Sequence, residues 1–200
     1  MPSCLNIAQY FIAKAYEDGR ESLMSNMKVQ KLLYYSQCLN LALQDEPLFP
    51  DEIQAWRYGP VCPPAYQLFS KFEAEQLPIP TQQDWSEKFS TEQRDLLEEV
   101  WLYFGEHHAY YLSGMTHLEF PWKKARKGLS DQAASREPIQ LTDMKLLGEE
   151  KLDEIERSHP AYLPIISGLL KNAFSASPSA QPPQYVQQGE VRDWLTALLN

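Results

Sequence analysis

Apolar residues recur at helical spacing along most of the chain. One stripe runs through residues 5–18, and a second runs through residues 27–43, where Ser25 or Asn26 is placed to cap the helix. The second stripe consists of Val29, Leu32, Leu33, Ser36, Leu39, Asn40 and Leu43. This spacing matches the 3.6-residue period of an amphipathic helix, so both segments are predicted to be helices.

The second of these helices is expected to be central. Tyr34 and Tyr35 are adjacent and point aromatic bulk in two directions, which favours burial on more than one face. The period places the remaining polar residues on the opposite face. These residues, predicted to face away from the core, are Lys28, Gln30, Lys31 and Gln37.

Further helical patterns fill most of the remaining chain. They cover residues 64–72, 90–104, 107–117, 121–127, 143–157 and 160–174. Ser90 followed by Gln93 has the spacing of a capping box at the start of the second of these. Thr142 is a suitable cap for the segment that begins at residue 143.

A small β element is predicted among these helices. Residues 53–58 alternate in the manner of a short strand, and the Gly59-Pro60 pair signals a turn. Residues 138–141 form a second short strand pattern. Because an isolated strand is unstable, we expect the two to pair. The predicted fold class is therefore mainly α: a compact helical domain with a short two-stranded β element near residues 53–58 and 138–141.

The stretch IQAWRYGPVCPPAY, residues 53–66, concentrates aromatic residues, glycine and proline. Pro63 and Pro64 suit the first turn of a helix, where a missing N–H costs little. Trp56 and Tyr58 would then lie on a stiff corner between strand and helix. Two interpretations remain open at this point: the aromatics fill the core, or they form a rigid platform for a partner.

The last fifty residues differ from the rest. Residues 175–188 are rich in proline, serine and glutamine, a composition typical of linkers. The segment 189–200 carries a full helical stripe, namely Val191, Trp194, Leu195, Leu198 and Leu199. So short a helix must dock on its own domain, on a second copy in a homodimer, or on a partner. The predicted organisation is a domain at 1–150, a helical extension at 151–174, the linker and the C-terminal helix.

Composition limits the functional classes to which the protein could belong. The net charge of −9 disfavours nucleic-acid binding and favours basic partners. Cys4, Cys38 and Cys62 are odd in number and widely spaced, which fits a reducing compartment. Residues 1–20 lack the apolar core of a signal peptide, and no apolar run approaches the about 20 residues of a membrane span. We therefore expect a cytoplasmic protein.

The chain offers little catalytic chemistry. His107, His108 and His117 form the histidine cluster, but their spacing is unlike that of a metal-binding helix. No GxSxG motif and no glycine-rich phosphate loop occur. We predict no catalytic residue, no metal and no cofactor, so the protein is not expected to be an enzyme. The basic run at residues 123–127 is either a solvated helix face or an anchor for an acidic partner segment or nucleic acid.

Three sequence blocks resemble the Panacea, or SocA-like, antitoxin domain of bacterial and phage toxin–antitoxin systems. They are MKVQKLLYYSQCLNLAL (residues 27–43), IQAWRYGPVCPPAYQLF (residues 53–69) and LSGMTHLEFPWKKAR (residues 112–126). Together with their spacing, the blocks cover roughly residues 5–145. The resemblance implies a mostly helical antitoxin of a type II system that neutralises a cognate protein toxin by direct binding.

Two alternatives stay open beside that function. Some members of the family look like adaptors that deliver the toxin to an ATP-dependent protease. A metal-dependent hydrolase built on the histidine cluster is the other. For the antitoxin, we expect partner binding by Trp56, Tyr58, Pro60, Val61, Tyr66 and Trp122, with Val191, Trp194, Leu195 and Leu198 of the C-terminal stripe.

Overall fold

The computed structural model describes residues 1–81, 84–130, 132–158 and 167. It divides into two units, Met1–Ile155 and Glu156–Asn200, and the architecture below is that of the first. The predicted linker and the C-terminal stripe with Val191, Trp194, Leu195 and Leu198 lie outside the described residues, as does the predicted helix at 160–174 apart from residue 167.

The described part of the chain is mainly α, as the sequence predicts. Its helices and strands are α1 (Cys4–Glu17), α2 (Asn26–Gln44), β1 (Gln54–Trp56), β2 (Gly59–Val61), α3 (Pro63–Phe69), α4 (Thr91–Phe104), α5 (Ala109–Leu118), α6 (Phe120–Ala125) and α7 (Leu141–Ser158). Short 3₁₀ turns lie at Glu21–Leu23 and Ser70–Phe72. Within these residues, no helix is both long enough and apolar enough to cross a bilayer.

Helix α2 is the centre of the fold. It packs against α1, α4 and α5, and 15 of its 19 residues are buried. The predicted central position is thus confirmed, but the predicted polar face is wrong. Neighbouring elements cover the helix on every side, so its polar residues are buried as well: Lys28, Gln30, Lys31 and Gln37.

Local capping signals operate as the sequence indicates. Ser25 accepts a hydrogen bond from the backbone N–H of Lys28 and begins α2. Ser90 and Gln93 form the predicted capping box at the start of α4. Each cap satisfies backbone donors that have no partner inside the helix, which fixes where the helix begins.

The two-stranded sheet is a tight hairpin. β1 and β2 are antiparallel, with Gln54 opposite Val61 and Trp56 opposite Gly59. The turn therefore lies at residues 57–58, two residues before the predicted Gly59-Pro60 turn. Gly59 has a φ of +97°, a backbone conformation that residues with a Cβ rarely adopt.

Residues 138–141 do approach the hairpin, but they form no strand. Pro138 makes an isolated antiparallel bridge to Gln54, and the Ile139 N–H donates to the Ile53 carbonyl at 2.8 Å. The predicted contact between the two segments is therefore present as a bridge, whereas the second strand of the sheet is β2. A two-residue connection brings β2 beside β1 at far lower entropic cost than a segment about 80 residues away.

Helix α7 approaches α2 closely at Gly148. A Cβ at this position would lie 2.0 Å from the carbonyl oxygen of Cys38, a backbone atom that cannot move aside. Gly148 therefore sets the distance between the two helices.

Replacing Gly148 with Ala should destabilise the fold by about 2 kcal/mol, because overpacking against a backbone atom outweighs the better helix propensity of alanine. Gly114→Ala on α5 is the matched control, since a Cβ there meets nothing within 4 Å. The control should be neutral or stabilise by up to about 1 kcal/mol. Urea unfolding of both variants measures the difference, and equal stabilities would contradict the close approach.

Candidate functional site

The hairpin is held in place by side chains that donate hydrogen bonds to its backbone carbonyls. Five carbonyl oxygens between residues 55 and 60 each lie within hydrogen-bonding distance of a donor from another element. The pairs are Arg126 Nη1 to Ala55 (3.1 Å), Trp122 Nε1 to Trp56 (2.8 Å), His117 Nε2 to Arg57 (3.0 Å), Ser113 Oγ to Tyr58 (3.0 Å) and Lys31 Nζ to Pro60 (3.1 Å). These bonds fix a hairpin that would be unstable alone.

Lys31 is the deepest of these donors. It is 1% exposed, and burial lowers the pKa of its amine to about 7, with the charge of Glu119 acting in the opposite direction. The amine lies directly under Gly59, where a Cβ would come within 2.6 Å of it. The absent side chain at Gly59 thus makes room for the lysine.

A cavity of about 840 Å³ opens beside the hairpin, and we call it the aromatic groove. Trp56, Tyr58 and Val61 of the hairpin and Tyr66 of α3 contribute to its lining. Asn26, Gln30 and Lys31 of α2 line it as well, together with the segment 134–136. The rings of Trp56 and Tyr66 meet edge to face, with 4.8 Å between their centroids.

A second cavity, of about 400 Å³, shares two residues with the groove. Arg57 and Tyr58 line both cavities, and His117, Trp122 and Lys123 complete most of the second lining. The tip of the hairpin, residues 57–58, therefore borders both cavities. The Arg57 guanidinium lies over the Tyr58 ring at 5.0 Å.

The residues predicted as partner contacts separate into two groups. Trp56, Tyr58, Val61 and Tyr66 line the groove; Tyr58 is 56% exposed and Trp56 is half-buried, whereas Val61 is buried. Pro60 is buried and Trp122 is 6% exposed. Their polar atoms serve the hairpin itself, since Pro60 accepts from Lys31 and Trp122 donates to Trp56.

Sequence reasoning missed the contribution of α2 to this site. Asn26 donates to the Tyr66 carbonyl at 3.1 Å, and Gln30 accepts from the Cys62 N–H at 2.9 Å. With Lys31, these side chains fasten the hairpin and α3 to the central helix. The available signal was the apolar run from Leu32 to Tyr35, which indicates a helix buried on all sides rather than on one stripe.

Three possible metal ligands converge away from the groove lining. Within the described residues, single ligand atoms of Cys4, Asp51 and Cys62 all lie within 4.8 Å of one another. A hydrogen bond to Cys62, followed by burial, raises the pKa of the Cys4 thiol. Asp51 Oδ2 already accepts from the Cys4 N–H at 3.2 Å. A protonated, buried thiol is a poor nucleophile, so Cys4 is unsuited to covalent catalysis.

The histidines do not converge on a metal-binding arrangement in the described part of the chain. His108 caps α5 by accepting from the Tyr110 N–H, and His117 bonds to the Arg57 carbonyl. The roles seen for these two side chains are therefore structural.

The fold and the site together define a small α-helical domain that presents a braced aromatic hairpin. Residues 29–123 match the model of a family described as "Antitoxin SocA-like, Panacea domain". The match spans just under half of the 200 residues and contains the whole hairpin with four of its five donors. It confirms the resemblance that the three sequence blocks indicate. No curated protein and no solved structure matches the chain.

The buried lysine predicts an unusual pH dependence of stability. Between pH 7 and the pKa of an unfolded lysine at 10.5, the unfolded state binds the proton that folded Lys31 has lost. Stability should therefore rise with pH, by about 2 kcal/mol between pH 7 and pH 9 from this residue alone. Lys28, whose pKa burial lowers to about 8, adds to the same trend.

Urea unfolding of wild type and Lys31→Met at both pH values tests this expectation. The variant should lose about 2 kcal/mol of the rise, because methionine has no proton to release. Lys88→Met, at an exposed position, should keep the wild-type rise. Identical rises in wild type and Lys31→Met would show that the amine is not desolvated.

Proposed function

We propose that this protein is the antitoxin of a type II toxin–antitoxin pair and that it neutralises its toxin by direct binding. The observation that carries the proposal is the braced hairpin, which exposes Tyr58 and Trp56 beside a groove of about 840 Å³. The hairpin lies inside the segment that matches the antitoxin family.

Rigidity makes this surface suited to binding a protein. A partner that docks on flexible side chains must order them, at about 0.5–1.5 kcal/mol for each side chain. Here the backbone of the hairpin is already fixed by five side-chain donors, and the Tyr58 ring is covered on one face by Arg57. Aromatic anchors held in this way dominate the energies of protein interfaces.

The size of the groove also favours a protein segment. Its volume lies near the upper end of the about 300–1,000 Å³ found for ligand pockets, so it accommodates several side chains at once. The amine of Lys31 is engaged with the Pro60 carbonyl, which supports a role in holding the surface rather than in chemistry.

The predicted contacts thus acquire different roles in the proposal. Trp56, Tyr58, Val61 and Tyr66 contact the toxin, whereas Pro60 and Trp122 support the hairpin from beneath. Binding by the C-terminal stripe at 189–200 stays a prediction.

Replacing Tyr58 or Trp56 with Ala should weaken toxin binding by about 2 kcal/mol each, or roughly 30-fold, because each removes an aromatic anchor. The adjacent open reading frame supplies the candidate toxin. Growth rescue on co-expression reports neutralisation, and calorimetry of the purified pair reports affinity. Leu102→Ala on α4 removes a side chain that is 71% exposed and outside the groove lining, so it should leave both readouts unchanged.

Two outcomes would contradict parts of this proposal. Unchanged affinity in both aromatic variants, with wild-type folding, would place the toxin surface elsewhere. Neutralisation that disappears in a strain lacking ATP-dependent proteases, together with a shortened toxin half-life, would favour a proteolytic adaptor that uses the same surface.

A further inference from the structure

The charge around the hairpin is opposite to that of the whole chain. The net charge is −9, yet the described lining of the aromatic groove holds the cationic residues Arg57 and Arg136 and one acidic residue, Glu73. Arg57 and Arg136 are exposed. The composition predicts basic partners, but the local lining favours an acidic one.

The second cavity repeats this pattern. Arg57 and Lys123 line it with His117, Tyr58 and Trp122, and its described lining contains no carboxylate. Lys123 is exposed. Cationic side chains therefore border the hairpin tip in both cavities, and aromatic rings lie between them.

We infer that the segment of the toxin that occupies the aromatic groove is acidic and amphipathic, with an apolar side chain flanked by carboxylates. The inference rests on the proposed function and specifies its partner. The apolar side chain would pack against Trp56 and Tyr66, and the carboxylates would pair with Arg57 and Arg136, with Lys123 as a further cation beside the tip.

The chemistry of these groups favours carboxylates over other acidic ligands. A guanidinium binds a carboxylate through two parallel hydrogen bonds, which adds direction to the attraction. When a bound segment covers the exposed Arg57, the exclusion of water lowers the local dielectric and strengthens such a pair. Nucleic acid would present a long line of phosphates to a chain whose net charge of −9 repels them.

Charge reversal tests the inference with a matched control. Arg57→Glu, Arg136→Glu and Lys123→Glu are each compared with Lys88→Glu, which changes the net charge equally at an exposed position outside both linings. Affinity for the purified toxin should fall at least tenfold for Arg57→Glu and Arg136→Glu and severalfold for Lys123→Glu. The Lys88→Glu variant should stay within twofold of wild type.

Carbodiimide cross-linking provides a direct second readout. The reagent joins an amine to a carboxylate in contact with it, so Lys123 in the complex should yield a cross-linked peptide that contains a toxin Asp or Glu. Lys123→Arg keeps the charge but has no amine, so it should bind normally and give no such peptide. Mass spectrometry identifies the toxin segment.

The outcomes separate this inference from the proposed function. No binding of wild type to any neighbouring gene product overturns the antitoxin proposal itself. Binding that falls in Trp56→Ala and Tyr58→Ala, but not in the charge reversals, overturns the acidic segment alone. Tighter binding of the toxin by Arg57→Glu would indicate a basic segment and would overturn the inferred acidic segment. Displacement of the toxin by a short single-stranded oligonucleotide would overturn it as well.

Discussion

The contact between the buried amine of Lys31 and the carbonyl of Pro60 is the interaction on which the binding surface depends. A hairpin with strands of only three residues cannot satisfy all of its backbone groups or stay folded alone. Lys31 reaches it from the central helix α2, and Gly59 leaves the space that the lysine occupies. Donors from α5, α6 and the residue after α6 bind the remaining carbonyls, so the hairpin has one conformation set from beneath.

Burying the Lys31 amine lowers the free energy of unfolding but fixes the conformation of the binding surface. Removing the solvation of a lysine amine is unfavourable, and the depression of its pKa to about 7 measures that cost. The hairpin in return presents Trp56 and Tyr58 without prior ordering, which a partner would otherwise have to impose. The stability of the fold and the geometry of the site are therefore coupled through one side chain.

The net charge of the chain and the charge around the hairpin differ in sign. Most acidic residues lie outside the two cavities at the hairpin, whereas Arg57 lines both. Net charge governs long-range encounter, but contact residues govern what fits. A binding surface can therefore attract carboxylates although the chain as a whole carries nine excess negative charges.

Within the described residues, the sequence by itself determined the helices, because their signals are local: apolar spacing, the Ser90–Gln93 capping box and prolines at the start of α3. The resemblance to an antitoxin domain was equally accessible, since it rests on contiguous blocks. Only the tertiary structure decided that Lys31 is buried rather than exposed, and that β2 is the partner strand of β1 whereas residues 138–141 make only a bridge to it. Both depend on how many elements surround a segment and which backbone lies nearest, and a periodic pattern along one chain does not contain that information.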